Sequence, residues 1–454
     1  MKRYDFLIIY QIKARELENL LLLKNELERR GYSVRIENLY RFTQRTKRYD
    51  ADVVIGQADD DWSLSVFRYF VKDPKKVISF KWEQIYSNNG CNRTDTVMAI
   101  RGKAREAVTF AWGDVSLNRF VNIYGVPEKN IRKTGHITMD FLRPEFKPYF
   151  KSREEICKEF GLDPNKKVYL YISSFAALSL SKEELESYRN NHTGNDPRES
   201  QKLCVDSQKQ TIEWFFKGLE LHPNIQLIYR PHPVEKNNEL LKECCKKNKN
   251  FRVISDYSIK QWILTCDKLY TWFSTSIGEV YAAGKPCSVV RPVEIPFGRD
   301  VEIYKNAKII SEFEEFDREF EFDGSFETDF PIPHGDMDSY YYISKNAYTF
   351  ELQADVCEEV LKDNTYIIKD YPMIHNLNTD IGFRVKCVLR RYFGASRLCS
   401  ALSKSVFKGT KFADTVRLNR EDYDLVRINV PTKRELKRIE KNINLMLESR
   451  VTRT

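Results

Sequence analysis

Two short segments carry side chains suited to binding an anion. In Tyr229-Arg-Pro-His-Pro233 a guanidinium and an imidazole sit at the end of the apolar run Ile225-Gln-Leu-Ile-Tyr-Arg230, and two prolines stiffen the turn around them. Ser274-Thr-Ser-Ile-Gly-Glu279 follows the run Lys268-Leu-Tyr-Thr271 and offers three hydroxyls beside the free backbone N–H groups of a helix start. Hydroxyls, a helix N-terminus and a nearby cation together favour phosphate. Arg230, His232, Ser274, Thr275 and Ser276 are therefore the candidate phosphate ligands, with Glu279 placed one turn on to accept hydrogen bonds from a ribose. Taken singly, Ser-Thr-Ser before a helix reads as an ordinary N-cap with Glu279 near the capping-box position, and a lone loop histidine reads as structural. Both segments, however, follow strands expected in one parallel sheet, and open α/β sheets bind ligands at the carboxyl edge.

The surrounding pattern supplies such a sheet twice. Short apolar runs at 5–10, 33–37, 51–56, 76–80 and 109–112 alternate with helical stretches, the first of them Glu16–Arg30 with leucines at 17, 20, 21, 23 and 27 and Gly31 in the left-handed position after its end. A break around 144–166, with Pro144, Pro148 and Pro164, marks a domain boundary. A second series begins at Lys167-Val-Tyr-Leu-Tyr-Ile-Ser173, continues through 225–230, 251–254 and 268–271, and ends at 286–290. Strands alternating with helices at this spacing predict βαβ units and parallel sheets. The expected division is an N-terminal domain at 1–150, a second domain at 165–310, a surface excursion with a return helix at 311–370, and a basic helical tail at 371–454. The polar stretch 178–206 is expected to be a long loop at the site.

The motifs of the second series, Arg230-Pro-His-Pro233, Asp267-Lys-Leu-Tyr-Thr271, Ser274-Thr-Ser-Ile-Gly-Glu279 and Gly284-Lys-Pro286, resemble the C-terminal half of bacterial GT-B enzymes that use CMP- or CDP-activated donors. These include the CDP-glycerol glycerophosphotransferases of teichoic acid synthesis and the HP-motif sialyl- and Kdo-type transferases. The N-terminal half resembles surface-carbohydrate biosynthesis proteins through Arg15-Glu-Leu-Glu18, Glu26-Leu-Glu-Arg-Arg-Gly31 and Phe80-Lys-Trp-Glu-Gln84. Tyr124-Gly-Val126, Thr134-Gly135 and Asp140 look like the last strand and loop before a GT-B cleft. The resemblance spans about residues 5–300. It implies an α/β GT-B fold, two Rossmann-like domains with a cleft between them, in which His232, Ser274, Thr275 and Ser276 hold the nucleotide phosphates. Teichoic acid polymerases carry Trp-His-Gly in the first domain, with a proposed catalytic histidine, whereas here the strand end reads Lys81-Trp-Glu-Gln84. That departure leaves Glu83 as the candidate general base; the plainer reading is a salt-bridged surface carboxylate.

The expected function is transfer of a sugar from a CMP- or CDP-linked donor to a surface-polysaccharide or lipid-linked acceptor, with Glu83 and His232 catalytic. His136, Asp140, Ser173 and Ser174 are weaker cleft candidates. A CDP-polyol phosphotransferase, a sugar-nucleotide epimerase and a non-enzymatic protein that binds nucleic acid or membrane are the alternatives. No cofactor or metal is expected: Asp59-Asp-Asp61, the nearest acidic cluster, reads as a helix start. The ten cysteines include no Cys-x-x-Cys and no Cys/His cluster, and they read as reduced thiols in a cytoplasmic protein. Residues 371–454 hold 18 Lys and Arg against 8 Asp and Glu, so the net charge of +9 resides entirely in the tail. Apolar positions from Phe383 to Lys408 recur at helical spacing among these cations, which suits either an interfacial helix on the inner face of the cell membrane or a helix packed on the first domain. No nucleic-acid reader motif accompanies the charge, so nucleic acid is not an expected partner.

Overall fold

The computed structural model describes residues 3–44, 48–91, 93–94, 99–181, 185–186, 196–235, 239–321, 325–373 and 410–451, with isolated positions between 374 and 409. The chain divides into two units, residues 1–84, 94–137 and 344–454 forming the first and 85–93 and 138–343 the second. Each holds one six-stranded sheet whose neighbouring strands all pair in parallel.

In the first unit β1 (Arg3–Tyr10), β2 (Val34–Asn38), β3 (Asp50–Gly56), β4 (Lys76–Ser79), β5 (Val108–Ala111) and β6 (Ile131–Lys133) lie in the order β2-β1-β3-β4-β5-β6. Phe6, Leu7, Ile8, Val53, Val54 and Ile55 are fully buried, the mark of central strands covered by helices on both faces. The helix Glu18–Arg29 buries its leucines and ends before Gly31, whose φ of +94° puts it in the left-handed region read from the sequence.

In the second unit β7 (Lys167–Ile172), β8 (Ile225–Arg230), β9 (Phe251–Val253), β10 (Lys268–Thr271), β11 (Cys287–Val290) and β12 (Ile309–Ile310) lie in the order β12-β11-β10-β7-β8-β9. The chain runs outward from β7 through β8 to β9, then returns to the other side of β7 at β10. The two connections that leave β7 and enter β10 in opposite directions create a switch point at the carboxyl ends of those strands.

Three expectations are corrected. The boundary falls at residue 137 rather than near 150–165, because Pro144–Tyr149 forms a 3₁₀ turn whose neighbours Phe141, Phe146, Tyr149 and Phe150 cluster inside the second unit. The acidic, aromatic stretch at 312–330 is not a surface excursion: on the helix Phe313–Glu321 the i, i+4 pair Phe316 and Phe320 is fully buried against Tyr270 and Phe215, with the carboxylates on the opposite face. The stretch 178–206 is not one loop, since a helix begins at Pro197, with Asp196 accepting from the Arg198 N–H as its N-cap. Asp-Pro is a helix-start signal in its own right.

The described helices of the tail lie in the first unit. From Ser344 the chain belongs to the first unit, and the helix Thr349–Lys362 ties to it through Lys76 Nζ donating to Leu361 O (2.8 Å) and Arg30 pairing with Asp355 (2.6 Å). The helices Lys411–Asn429 and Lys433–Val451 also pack there: Asn429 Oδ1 accepts from the Lys13 N–H (3.1 Å), and Lys24 pairs with Glu440 (3.3 Å). Most of the amphipathic stretch 383–408 lies outside the described residues. No helix among the described residues is long and apolar enough to cross a membrane.

Candidate functional site

A cavity of about 320 Å³ opens at the switch point of the second sheet. Its walls come from four strand ends. Ser174, Ala176 and Ala177 follow β7; His232 follows β8; Trp272, Phe273, Ser274 and Thr275 follow β10; Ile295, Arg299 and Val301 follow β11. The helix Pro197–Leu221 adds Ser200, Leu203 and Cys204. Two segments far apart in sequence, the Arg-Pro-His-Pro turn and the Ser-Thr-Ser turn, thus meet at one cavity, as their placement after strands of a common sheet predicts.

The Ser-Thr-Ser turn is pinned from several directions. The Ser274 N–H donates to Thr271 Oγ1 (3.1 Å), Ser274 Oγ accepts from the Ser276 N–H (3.2 Å), and Tyr304 OH donates to Ser274 O (2.6 Å). Ser276 occupies the N-cap of the short helix Ile277–Ala282 and makes no side-chain cap bond, so the plain capping reading does not describe this turn. Gly278 lets Tyr341 pack against it: a Cβ there would stand 2.3 Å from the Tyr341 ring.

The His232 turn is fixed by a carboxylate outside the sequence-predicted candidates, Glu235. Glu235 is buried, and four donors converge on it: Ser173 Oγ (2.5 Å), Tyr229 OH (2.6 Å), Gln208 Nε2 (2.9 Å) and the His232 N–H (3.1 Å). Burial raises the Glu235 carboxyl above its ordinary range, and these hydrogen bonds oppose the rise. The Glu235 N–H in turn donates to His232 O (2.8 Å). An acid three residues beyond a turn residue, reaching back to its N–H, has capping-box spacing, and this was the available sequence signal. His232 Nδ1 accepts from the Val234 N–H (3.4 Å), which places the neutral ring's proton on Nε2. Among the described residues Nε2 has no partner, and burial holds the imidazole below its usual pKa. At neutral pH His232 is a neutral hydrogen-bond donor.

The remaining candidates separate. Ser173 belongs to the Glu235 network and is buried. Ser174 lines the cavity and keeps a buried Oγ with no partner among the described residues. Arg230 donates to the carbonyls of Asp256 (2.9 Å) and Tyr257 (2.6 Å); desolvation pushes it down to about 10, still charged at neutral pH. Neither Arg230 nor Ser276 nor Glu279 is among the cavity walls.

In the first unit Glu83 follows β4 and pairs with Arg15 (2.6 Å), which in turn pairs with buried Glu16 (2.7 Å). Desolvation raises the Glu83 carboxyl, opposed by Arg15, and because 45% of the side chain is exposed, water screens much of that push. His136 packs edge-on against Trp112 (4.3 Å between centroids) and Trp82 (5.9 Å). Asp140, in the second unit, is buried beside Arg143 (3.5 Å). The acidic cluster is spoken for locally: Asp59 pairs with Lys81 (2.8 Å), Asp60 caps the helix Asp61–Val66, and Asp61 accepts from the Lys103 N–H (2.6 Å).

Two parallel-sheet units of this kind define a GT-B fold, and the comparisons with known proteins agree. The chain is similar to the wall teichoic acid polymerase TagF: a histidine-to-alanine variant superposes with a TM-score of 0.53 at 14% identity, over 79% of this chain and 89% of that one. The polymerase itself gives 0.50 at 13% identity over the same shares. A histidine-to-asparagine variant soaked with CDPG also gives 0.50 at 13%. At such identities the likeness is one of fold. No family profile matches the chain, and no curated protein matches it in sequence.

Proposed function

We propose that this chain is a glycosyltransferase that moves a sugar from a nucleotide-activated donor, CMP- or CDP-linked by preference, to a surface-polysaccharide or lipid-linked acceptor. The observation that carries this reading is the cavity at the β7–β10 switch point, where His232, Ser274, Thr275 and Ser174 converge. Strand ends at a switch point are where α/β sheets hold nucleotides, and this cavity presents hydrogen-bond donors within largely apolar walls. The donor's phosphates would lie against His232 and the 274–276 turn, whose donors stabilise the negative charge developing on the leaving nucleotide. Glu83 is the proposed base that deprotonates the acceptor hydroxyl. The TagF likeness, which includes a variant soaked with CDPG, supports a CDP-linked donor as the second reading, with transfer of a polyol phosphate instead of a sugar.

The test is to incubate the protein with CMP- and CDP-linked donors, with and without a lipid-linked or oligosaccharide acceptor, and follow the nucleotides by mass spectrometry. Release of CMP or CDP that requires the acceptor is the expected result, and release of CMP from a CDP-polyol would shift the assignment to phosphotransfer. An altered nucleotide sugar formed without acceptor would replace transfer with epimerisation.

A further inference from the structure

A phosphate buried at the switch-point cavity needs a positive complement. The sequence suggests Arg230, but its guanidinium is committed to the carbonyls of Asp256 and Tyr257 and it does not wall the cavity. His232 walls the cavity, but burial keeps the ring neutral at physiological pH. Among the described residues the one cavity wall with a permanent charge is Arg299.

Arg299 is built to face a ligand. It ends a 3₁₀ turn, Phe297–Arg299, which the surrounding chain holds firmly. Asp300, next to it, receives a buried bidentate pair from Arg291 (2.7 and 2.8 Å); Asn88 Nδ2 donates to Phe297 O (2.9 Å); and Val301 bridges to Ser87. A Cβ on Gly298 would stand 2.3 Å from Asn89, so the turn closes tightly on that segment. One terminal nitrogen of Arg299 pairs with Glu199 (2.5 Å) and donates to Asp196 O (3.4 Å), both at the start of the helix Pro197–Leu221, while no bond from its other terminal nitrogen is seen among the described residues. Its Nε is buried and has no hydrogen-bond partner among the described residues. Two other cavity walls leave buried polar atoms in the same condition, Ser174 Oγ and Trp272 Nε1. A buried donor without a partner is costly, and an acceptor-rich group bound within reach of any of them would offset that cost.

We propose that Arg299 supplies the positive charge that meets a phosphate group of the nucleotide in this cavity, with Glu199 competing for the same guanidinium. The proposal rests on the nucleotide-donor reading above and adds a residue and a ligand group to it. Glu199, whose side chain is 66% exposed, holds the arginine in place when the cavity is empty and shares its charge when it is filled.

The two partners should respond with opposite signs, which separates binding from a structural clasp. Isothermal titration of the full chain with CMP, UMP and GMP, and with their nucleosides, measures what the phosphate adds. The wild-type protein should bind its preferred nucleotide well above the matching nucleoside. Arg299→Gln should lose on the order of ten- to a hundredfold in nucleotide affinity while leaving the nucleoside unchanged. Glu199→Gln should bind the nucleotide more tightly, because the guanidinium is no longer shared. Circular dichroism melts establish that both variants fold. A folded Arg299→Gln protein that keeps the wild-type preference for nucleotide over nucleoside would overturn the proposal, as would a Glu199→Gln protein weakened as much as Arg299→Gln. Binding of no nucleotide by the wild-type protein would overturn the donor reading and this inference together.

Discussion

The strand ends of the two sheets make a useful pair. Both sheets are parallel and six-stranded, and both reverse direction at a switch point, β7 with β10 in the second unit and β1 with β3 in the first. In the second unit the edge leaves a cavity of about 320 Å³ with donors that find no partner among the described residues. In the first unit the chain fills its own edge. Asn429, from the C-terminal helices, receives hydrogen bonds from Tyr10 OH (3.1 Å) and Asn38 Nδ2 (3.4 Å), at the ends of β1 and β2. Past β4, β5 and β6, Trp82, Trp112 and His136 pack so closely that the space they line with Phe80, Gln84 and Gln353 is about 10 Å³. Fold alone therefore does not make a site; unsatisfied polar groups around an open volume do.

The contrast predicts where substitutions should act. The largest effect is expected at His232. His232→Ala should lower turnover on the order of a hundred- to a thousandfold with little change in the melting temperature, since among the described residues the ring's Nε2 has no partner and its Nδ1 only a long bond from the Val234 N–H. His136→Ala is the counterpart in the packed edge: it should lower the melting temperature and leave nucleotide affinity unchanged, and loss of nucleotide binding there would erase the distinction between the two edges.

Glu235→Ala comes next. It leaves Ser173, Tyr229, Gln208 and the His232 N–H without their acceptor, at about 1–3 kcal/mol for each group left buried and unpaired. Both stability and nucleotide binding should fall, measured by chemical denaturation and titration. Glu235 also sets a pH dependence. Because burial raises its pKa in the folded state, the folded protein holds the proton more tightly than the unfolded chain. Its contribution to stability is therefore fully present below the ordinary carboxylate range and is lost as pH rises through the raised value. Glu235→Gln should flatten that decline. His232 runs the other way: its depressed pKa gives a contribution present above the ordinary imidazole value, near 6.5, and lost as pH falls through the lowered one. An NMR titration should place the His232 midpoint below that of an exposed histidine.

Smaller effects belong to the first unit. Arg15→Gln removes the cation that opposes desolvation at Glu83, so the acidic limb of the pH–rate profile should move to higher pH. An unchanged limb would argue against Glu83 as the base. Asn429→Ala deletes the acceptor for the Lys13 N–H and should cost only about 0.5–1.5 kcal/mol, without touching nucleotide affinity.

Much of this architecture was legible in the residues. Ten of the twelve strands fall on the strand segments expected from the sequence, because central parallel strands buried on both faces write themselves as runs of Val, Ile, Leu and Tyr. The Arg-Pro-His-Pro and Ser-Thr-Ser turns were legible for the same reason: they punctuate those runs. What escaped was tertiary. The two-residue strand β12 is too short to carry a period, and Phe316 and Phe320 are hidden among carboxylates that face water. Trp272 and Arg299 gain their meaning from partners present or missing far along the chain, which spacing does not report, and for Glu235 spacing reports only the His232 N–H and not Ser173 or Gln208. Arg230 shows the converse: a cation in the expected place, drawn off by two carbonyls of the loop beyond β9.

A thermal-shift screen of the wild-type and His232→Ala proteins against CMP, CDP, UMP, UDP, GDP and ADP tests the nucleotide site itself. A ligand that binds only the folded state raises its stability by RT ln(1 + [L]/Kd), so selectivity reads directly as an ordering of shifts. A donor site at His232 predicts a shift with CMP or CDP above the others, lost in His232→Ala. No shift with any nucleotide, or a shift that His232→Ala leaves intact, would contradict it.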